Sequence, residues 1–280
     1  MKPGADQVRN VPMMRVPTIR GLIRRRLLVN FRVDARVIER FLPAPFSPKL
    51  HEGYAIAGVC LIRLEQIRPR WIPAVLGISS ENAAHRIAVI WRDSEGNWRE
   101  GVFIPRRDTN SWLNHAAGGR AFPGEHRLAD FDVFEDDRRI VMSIRARDCR
   151  MAIRLRAQET NELPSSSCFK SLADSSAFFE AGRIGYSVTR HCGRFDGIRL
   201  ETENWRVRPL AVEEVVSSFF ADKSVFPDGS VTFDHALIMR DLHHQWHKAE
   251  DLHVASRTAQ RRAPPSIRLS VNDTPFRGGS

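Results

Sequence analysis

At 280 residues and 31.9 kDa, with 42% hydrophobic and 27% charged residues, the chain has the composition of an ordinary globular protein with a substantial core. Its formal net charge is +10, yet only five of the 43 basic residues are lysine, and the arginines are spread along the chain apart from Arg24-Arg25-Arg26. That spread fits general arginine usage in a GC-rich genome better than a nucleic-acid footprint, so no nucleic-acid partner is expected.

No run of about 18 apolar residues is present, so no membrane span is expected. Residues 1–11 lack the apolar stretch of a secretory signal. The four cysteines, Cys60, Cys149, Cys168 and Cys192, show no Cys-x-x-Cys spacing and read as reduced thiols of a cytoplasmic protein.

Residues 1–12 are polar and expected to be disordered, with Met13 or Met14 an alternative start. Residues 22–33 alternate and read as a strand, after which Asp34 caps a helix carrying Val37, Ile38, Phe41 and Leu42, stopped by Pro43. Residues 54–67 read as a long strand. Residues 86–91 and 98–104 pair as a hairpin across Asp93-Ser94-Glu95-Gly96-Asn97.

The next stretch organises the reading. Val102, Phe103 and Ile104 suit a buried strand, and Pro105, which cannot donate to a ladder, is expected to end it. Arg106 and Arg107 follow, and Asp108 or Thr109 then caps a short helix through Leu113 and Ala117 that Gly118-Gly119 terminates. Paired guanidiniums beside a helix start suit an anion or carboxylate; two solvated loop arginines are the plainer alternative.

Further on, residues 126–134 and 138–147 form another expected hairpin, and residues 151–157 alternate again. Ser171-Leu172-Ala173-Asp174 has the form of a helix start, with Gly182 as its stop. Strands are expected over 185–189, 197–207, 212–220 and 236–240, followed by a tail rich in Arg, Pro, Ser and Gly. About ten strands with three short helices, joined mostly by turns, argue for an α+β chain of mostly antiparallel sheet closed into a cone or barrel. The expected organisation is a disordered segment 1–12, one β-rich domain over 13–253 and a disordered tail over 254–280.

Several of these pieces together resemble the acetoacetate decarboxylase-like superfamily. They are Leu28-Val-Asn-Phe-Arg-Val-Asp34 with Leu42-Pro43, Ser80-Glu81-Asn82, Phe103-Ile-Pro-Arg-Arg107, and Pro209 with Glu214-Val-Val-Ser-Ser218. Arg-Asp-Thr after Ile-Pro, and Phe-Phe-Glu-Ala-Gly-Arg-Ile-Gly-Tyr186, look like an uncharacterised bacterial branch, a domain of unknown function. The resemblance implies a cone or barrel whose cavity takes a small organic acid or carbonyl compound. It places Arg24 on the substrate side, Glu81 at the family's active-site glutamate, Arg106 at the Schiff-base lysine and Arg107 at the lysine beside it.

An imine needs an amine with a free lone pair; acetoacetate decarboxylase is itself a standard example of a lysine so activated. Arginine stays protonated, so Schiff-base decarboxylation is not expected here. No cofactor or metal is expected. Three readings stay open: a ligand-binding module, a lyase or hydrolase using Glu81 as general acid/base with arginine clamps, and, less in keeping with the charge spread, a nucleic-acid-binding protein. A homo-oligomer also stays open.

Two local constellations read as structural. His243 and His247 have a helical zinc spacing but lack the accompanying Glu, and His191-Cys192 would point to opposite faces of a strand. The six tryptophans are expected in the core and in pocket walls.

Overall fold

The computed structural model describes residues 18–254, residue 121 excepted; the expected disordered segment 1–12 and the tail beyond 254 lie outside the described residues. The chain opens with β1 (Ile19–Val33), α1 (Ala35–Phe41), β2 (Ser47–Pro48), β3 (Leu50–His51) and β4 (Tyr54–Pro69). Next come β5 (Ile78–Arg92), β6 (Trp98–Thr109), α2 (Trp112–Ala117), β7 (Arg127–Glu135), β8 (Arg139–Ala146) and β9 (Ala152–Glu159). It continues through α3 (Leu172–Ala181), β10 (Ile184–Val188), β11 (Arg194–Thr202), β12 (Arg208–Ser217), β13 (Val231–Lys248) and β14 (Leu252–His253).

All fourteen strands belong to one sheet that is antiparallel except where β6 meets β10 and β7. The sheet closes on itself twice. One ring runs β1, β4, β5, β6, β10, β11, β13 and back to β1. The other leaves β6 through β7, β8, β9 and β12 to rejoin β13. Closure removes most edges, the usual liability of a large antiparallel sheet.

The strands common to both rings have two buried faces, which explains why they read as apolar rather than alternating. On one face Leu27, Val29, Leu61, Ile87 and Phe103 join Ile140, Met142, Leu155 and Leu210 in the larger core. On the other, Ile23, Cys60 and Leu64 form a second apolar group with Phe179 and Leu242.

The helices start as their caps dictate. Asp34 accepts from the amide of Arg36 at 2.7 Å, and Ser171 accepts from that of Asp174 at 3.1 Å. Before α2 the cap is Ser111, accepting from Asn114 at 3.3 Å, and not Asp108 or Thr109, which still belong to β6. Pro105 therefore does not end its strand. In the β5–β6 register His85 pairs with Arg106 and Ile87 with Phe103, so Ile104 and Pro105 together stand opposite Arg86. The missing N–H of Pro105 falls in a bulge, where the ladder has no bond to lose.

A second bulge lies in β1. Against β4, Ile23 pairs with Leu64 and Arg25 with Arg63, leaving Arg24 as the extra residue. β13 extends well past the expected strand 236–240 and carries His243 and His247, so the helical zinc spacing does not apply; among the described residues no cluster of metal-ligating side chains occurs. Trp91 is buried and Trp246 faces the cavity described below, whereas Trp71, Trp98 and Trp112 are exposed, contrary to the expectation for all six. No helix among the described residues is long and apolar enough to cross a membrane.

Candidate functional site

Each strand of the first ring contributes to a central cavity of about 440 Å³. Its walls are largely aliphatic, with Ile23, Ile62, Leu64, Ile104 and Ile198 among them; exposed Leu113 and Arg183 mark where the lining meets solvent. Set into this apolar wall are Arg26 from β1, Arg86 from β5 and Arg107 from β6. None of the three forms an ion pair with a carboxylate among the described residues; their partners are neutral.

Arg107 Nε donates to the Ser187 hydroxyl at 2.9 Å. The approach depends on Gly124, whose φ is +79° and where a Cβ would fall 2.6 Å from that of Ser187 and 3.2 Å from Arg107 Nε. Arg86 donates to the Asn30 side-chain oxygen and lies over the Phe179 ring at 4.7 Å, while its Nε has no partner. Arg26 Nε donates to Cys60 Sγ at 3.3 Å, its guanidinium sits 5.6 Å from the Trp205 ring centroid, and its Nη1 is unpartnered. Burial pushes Arg86 and Arg107 each down to about 10, which still leaves both charged at neutral pH. Two further cavity arginines, Arg68 and Arg183, are bound to backbone carbonyls and to Glu180 respectively.

His126 also lines the cavity, its Nδ1 bonded to the Gly124 carbonyl at 3.2 Å. Burial, with Arg107 nearby, pushes it down to about 3, so the ring is neutral at pH 7 and adds no positive charge. Asp108 borders the cavity but is held by Arg106 at 2.7 Å.

Of the four side chains that the sequence reading gathers into one site, only Arg107 lines the cavity. Arg24, as a bulge residue, points to solvent and pairs with Glu65 at 3.0 Å and Asp241 at 2.6 Å. Arg106 is buried on the opposite face of β6, between Asp108 and Asp148. Glu81 lies on the same face of β5 as His85 and pairs with Arg25 at 2.7 Å, with Arg63 at 3.8 Å. Burial, outweighing Arg25 and Arg63, raises the Glu81 carboxyl above its ordinary range. Arg26 and Arg86 are not among the residues the sequence reading selects, and nothing local marks either as a cavity residue.

Behind Arg86 lies a fully buried chain of polar groups. Asn30 Nδ2 is 3.1 Å from His235 Nε2, which also meets the Ser175 hydroxyl at 2.8 Å; His235 Nδ1 lies 2.5 Å from Asp234. Ser, His and Asp thus share the spacing of a hydrolytic triad. Yet Ser175 and His235 are both 0% exposed, and neither lines the cavity. With Asn30 and Ser175 donating to Nε2, Nδ1–H is left for Asp234, and the Asn30 oxygen is turned toward Arg86. The chain orients that guanidinium.

Residues 22–238 match the family model DUF2071, described as "Uncharacterized conserved protein (COG2071)". No curated protein matches the chain. Among solved structures it is similar to an acetoacetate decarboxylase-like enzyme from Sphingomonas wittichii RW1, with 12% identity over 85% of this chain and 92% of that one and a TM-score of 0.52. It is similar to acetoacetate decarboxylase from Legionella pneumophila, at 12% identity over 85% and 87% of the two chains, TM-score 0.52. A third likeness is to the enduracididine biosynthesis enzyme MppR complexed with pyruvate, at 11% identity over 91% and 96%, TM-score 0.50.

Proposed function

The chain belongs to the DUF2071 family and has an acetoacetate decarboxylase-like fold, and from that premise we propose that its cavity binds a small organic carboxylate or carbonyl compound without forming a Schiff base. One observation carries the reading: three guanidiniums, Arg26, Arg86 and Arg107, face one largely apolar cavity, and none of them is in an ion pair with a carboxylate of the described residues. Holding guanidiniums in an apolar cavity without an ion pair carries a desolvation cost, largest for the buried Arg86, and an anionic ligand relieves it. The aliphatic wall suits the carbon skeleton of such a ligand, and charge-assisted hydrogen bonds from planar guanidiniums suit its carboxylate. Pyruvate, found with MppR, indicates a size and class with which to begin.

The same geometry speaks against the imine route. Of the described lysines none lines the cavity; Lys49, on a neighbouring recess, is paired with Glu100 at 2.7 Å. It also gives no support to Glu81 as acid/base in this cavity, because Glu81 is committed to Arg25 on the other side of β5.

The test is thermal unfolding against a panel of 2-oxo and simple carboxylates, with their amides as neutral controls. A ligand that binds only the folded state stabilises it by about 2.7 kcal/mol at a hundredfold excess over Kd. Carboxylates should stabilise, amides should not, and Arg107→Ala should reduce the difference by half or more. Equal responses to acids and amides, or an unaltered response in Arg107→Ala, would overturn the reading.

A further inference from the structure

Cys60 lies on β4 with its side chain on the cavity wall and is 4% exposed. Its Sγ accepts from Arg26 Nε at 3.3 Å. The surroundings supply a second, independent sign of a ligand. Arg86, also 4% exposed and on the same wall, keeps an unpartnered Nε, and Arg26 an unpartnered Nη1. Arg26 thus holds the thiol, while Arg86 and Arg107 on the same wall are held by the neutral Asn30 and Ser187.

A nucleophile in a cavity that gathers anions meets them at high effective concentration. Building on the carboxylate reading above, we propose that Cys60 is the covalent docking residue of the cavity, adding to the carbonyl carbon of a carboxylate-bearing aldehyde or ketone held by Arg26, Arg86 and Arg107. A C–S bond forms, the π pair of the carbonyl passes to its oxygen, and that oxygen receives the proton given up by the thiol. The product is a hemithioacetal or hemithioketal. Nothing leaves and no oxidant or reductant is needed, so the step reverses when the ligand departs. Guanidinium donors beside Sγ stabilise the charge that develops on the oxygen.

The other cysteines are internal references. Cys149 and Cys192 are exposed on the outer surface, and Cys168 is pushed up to about 12 by burial and Asp234. Alkylate the native protein in parallel with iodoacetate and iodoacetamide and quantify each cysteine by peptide mapping; here S–C forms, C–I breaks, iodide leaves and the thiol proton passes to solvent. The iodoacetate-to-iodoacetamide rate ratio at Cys60 should exceed that at Cys149 and Cys192 by about tenfold or more, the scale of one charge-assisted contact.

Glyoxylate labelled with ¹³C at the aldehyde carbon should give a protein-bound resonance for a carbon joined to sulfur in the native protein and none in Cys60→Ser. A Cys60 ratio equal to the exposed cysteines, no alkylation of Cys60 by either reagent, or no sulfur-bound carbon would overturn the inference. If carboxylates still stabilise the native protein in an Arg107-dependent way, only the covalent step falls. If they do not, the binding reading falls with it. The alkylation ratios need no variant, so they decide the matter even where Cys60→Ser unfolds.

Discussion

Arg106 and Arg107 are adjacent in sequence and serve opposite sides of one strand: Arg106 closes on the buried Asp108 and on Asp148 at the surface, whereas Arg107 reaches the cavity and Ser187. The bulge at Pro105 decides which is which. Val102 and Ile104 face the cavity, and strict alternation would send Arg106 there after them; the extra residue passes that place to Arg107.

The two arginines should therefore fail in different ways when removed. Arg106→Ala leaves Asp108, which is 0% exposed, without its partner, and should lower stability by about 3–5 kcal/mol. Arg107→Ala removes a half-buried cation that no ion pair holds and loses only its bond to Ser187, so apo stability should fall by no more than about 1 kcal/mol or rise, while carboxylate affinity falls by about 1.5–3 kcal/mol. Urea unfolding and calorimetric titration of the two variants check this; the opposite assignment of effects would place the anion site at Arg106.

How legible was this in the sequence? The β5–β6 hairpin, the caps Asp34 and Ser171 and the closed antiparallel architecture are local properties of residue type and spacing, and they were readable. The facing of the key arginines was not. It depends on two bulges, at Arg24 and at Pro105, each of which shifts alternation by one residue. Pro105 was visible as an irregularity, but a strand end and a bulge answer equally well to a missing N–H. Arg24 carried no mark at all. Arg86 is a further case: it joins Arg26 and Arg107 only because the β1–β4–β5–β6 pairings wrap around one cavity.

Glu81→Gln separates a structural carboxylate from a cavity one. Glu81 and Arg25 are both buried, and Arg25 keeps Glu135 when Glu81 is neutralised. The loss should be about 1–3 kcal/mol of stability, with carboxylate affinity unchanged because Arg25 lies across the strand from the cavity. A tenfold or greater change in affinity, measured by the same titration, would tie Glu81 to the ligand site.

Incubation with acetoacetate or pyruvate followed by borohydride should leave the intact mass unchanged at every lysine. The reason is positional as well as chemical: Lys49, Lys170, Lys223 and Lys248 all lie off the cavity wall, and the guanidiniums that occupy it remain protonated. A borohydride-stable mass on any lysine would reinstate the imine route.

Acid should destabilise the fold well before its carboxylates titrate. Burial pushes His85 and His126 each down to about 3 and His244 to about 4, against about 6.5 in an unfolded chain. Between pH 6.5 and 4 the native state keeps these rings neutral while the unfolded chain binds a proton at each, so lowering the pH favours unfolding. Each ring contributes up to about 1.4 kcal/mol per pH unit in that window, a contribution fully present above pH 6.5 and lost progressively below it. Glu81 and Asp108, whose carboxyls are raised by burial, act in the opposite sense near the bottom of the window and soften the fall. Replacing His85 by Leu removes one of the three groups and should reduce the slope by about a third, since the ring packs at a tilt against Phe219 and its hydrogen-bond partner is the Ser217 hydroxyl at 3.3 Å. Urea unfolding at pH 7.5, 6 and 5 measures the slope directly. Stability unchanged from pH 7.5 to 5 would mean that these imidazoles are solvated in the folded protein, and the neutral His126 beside Arg107 would have to be withdrawn with them.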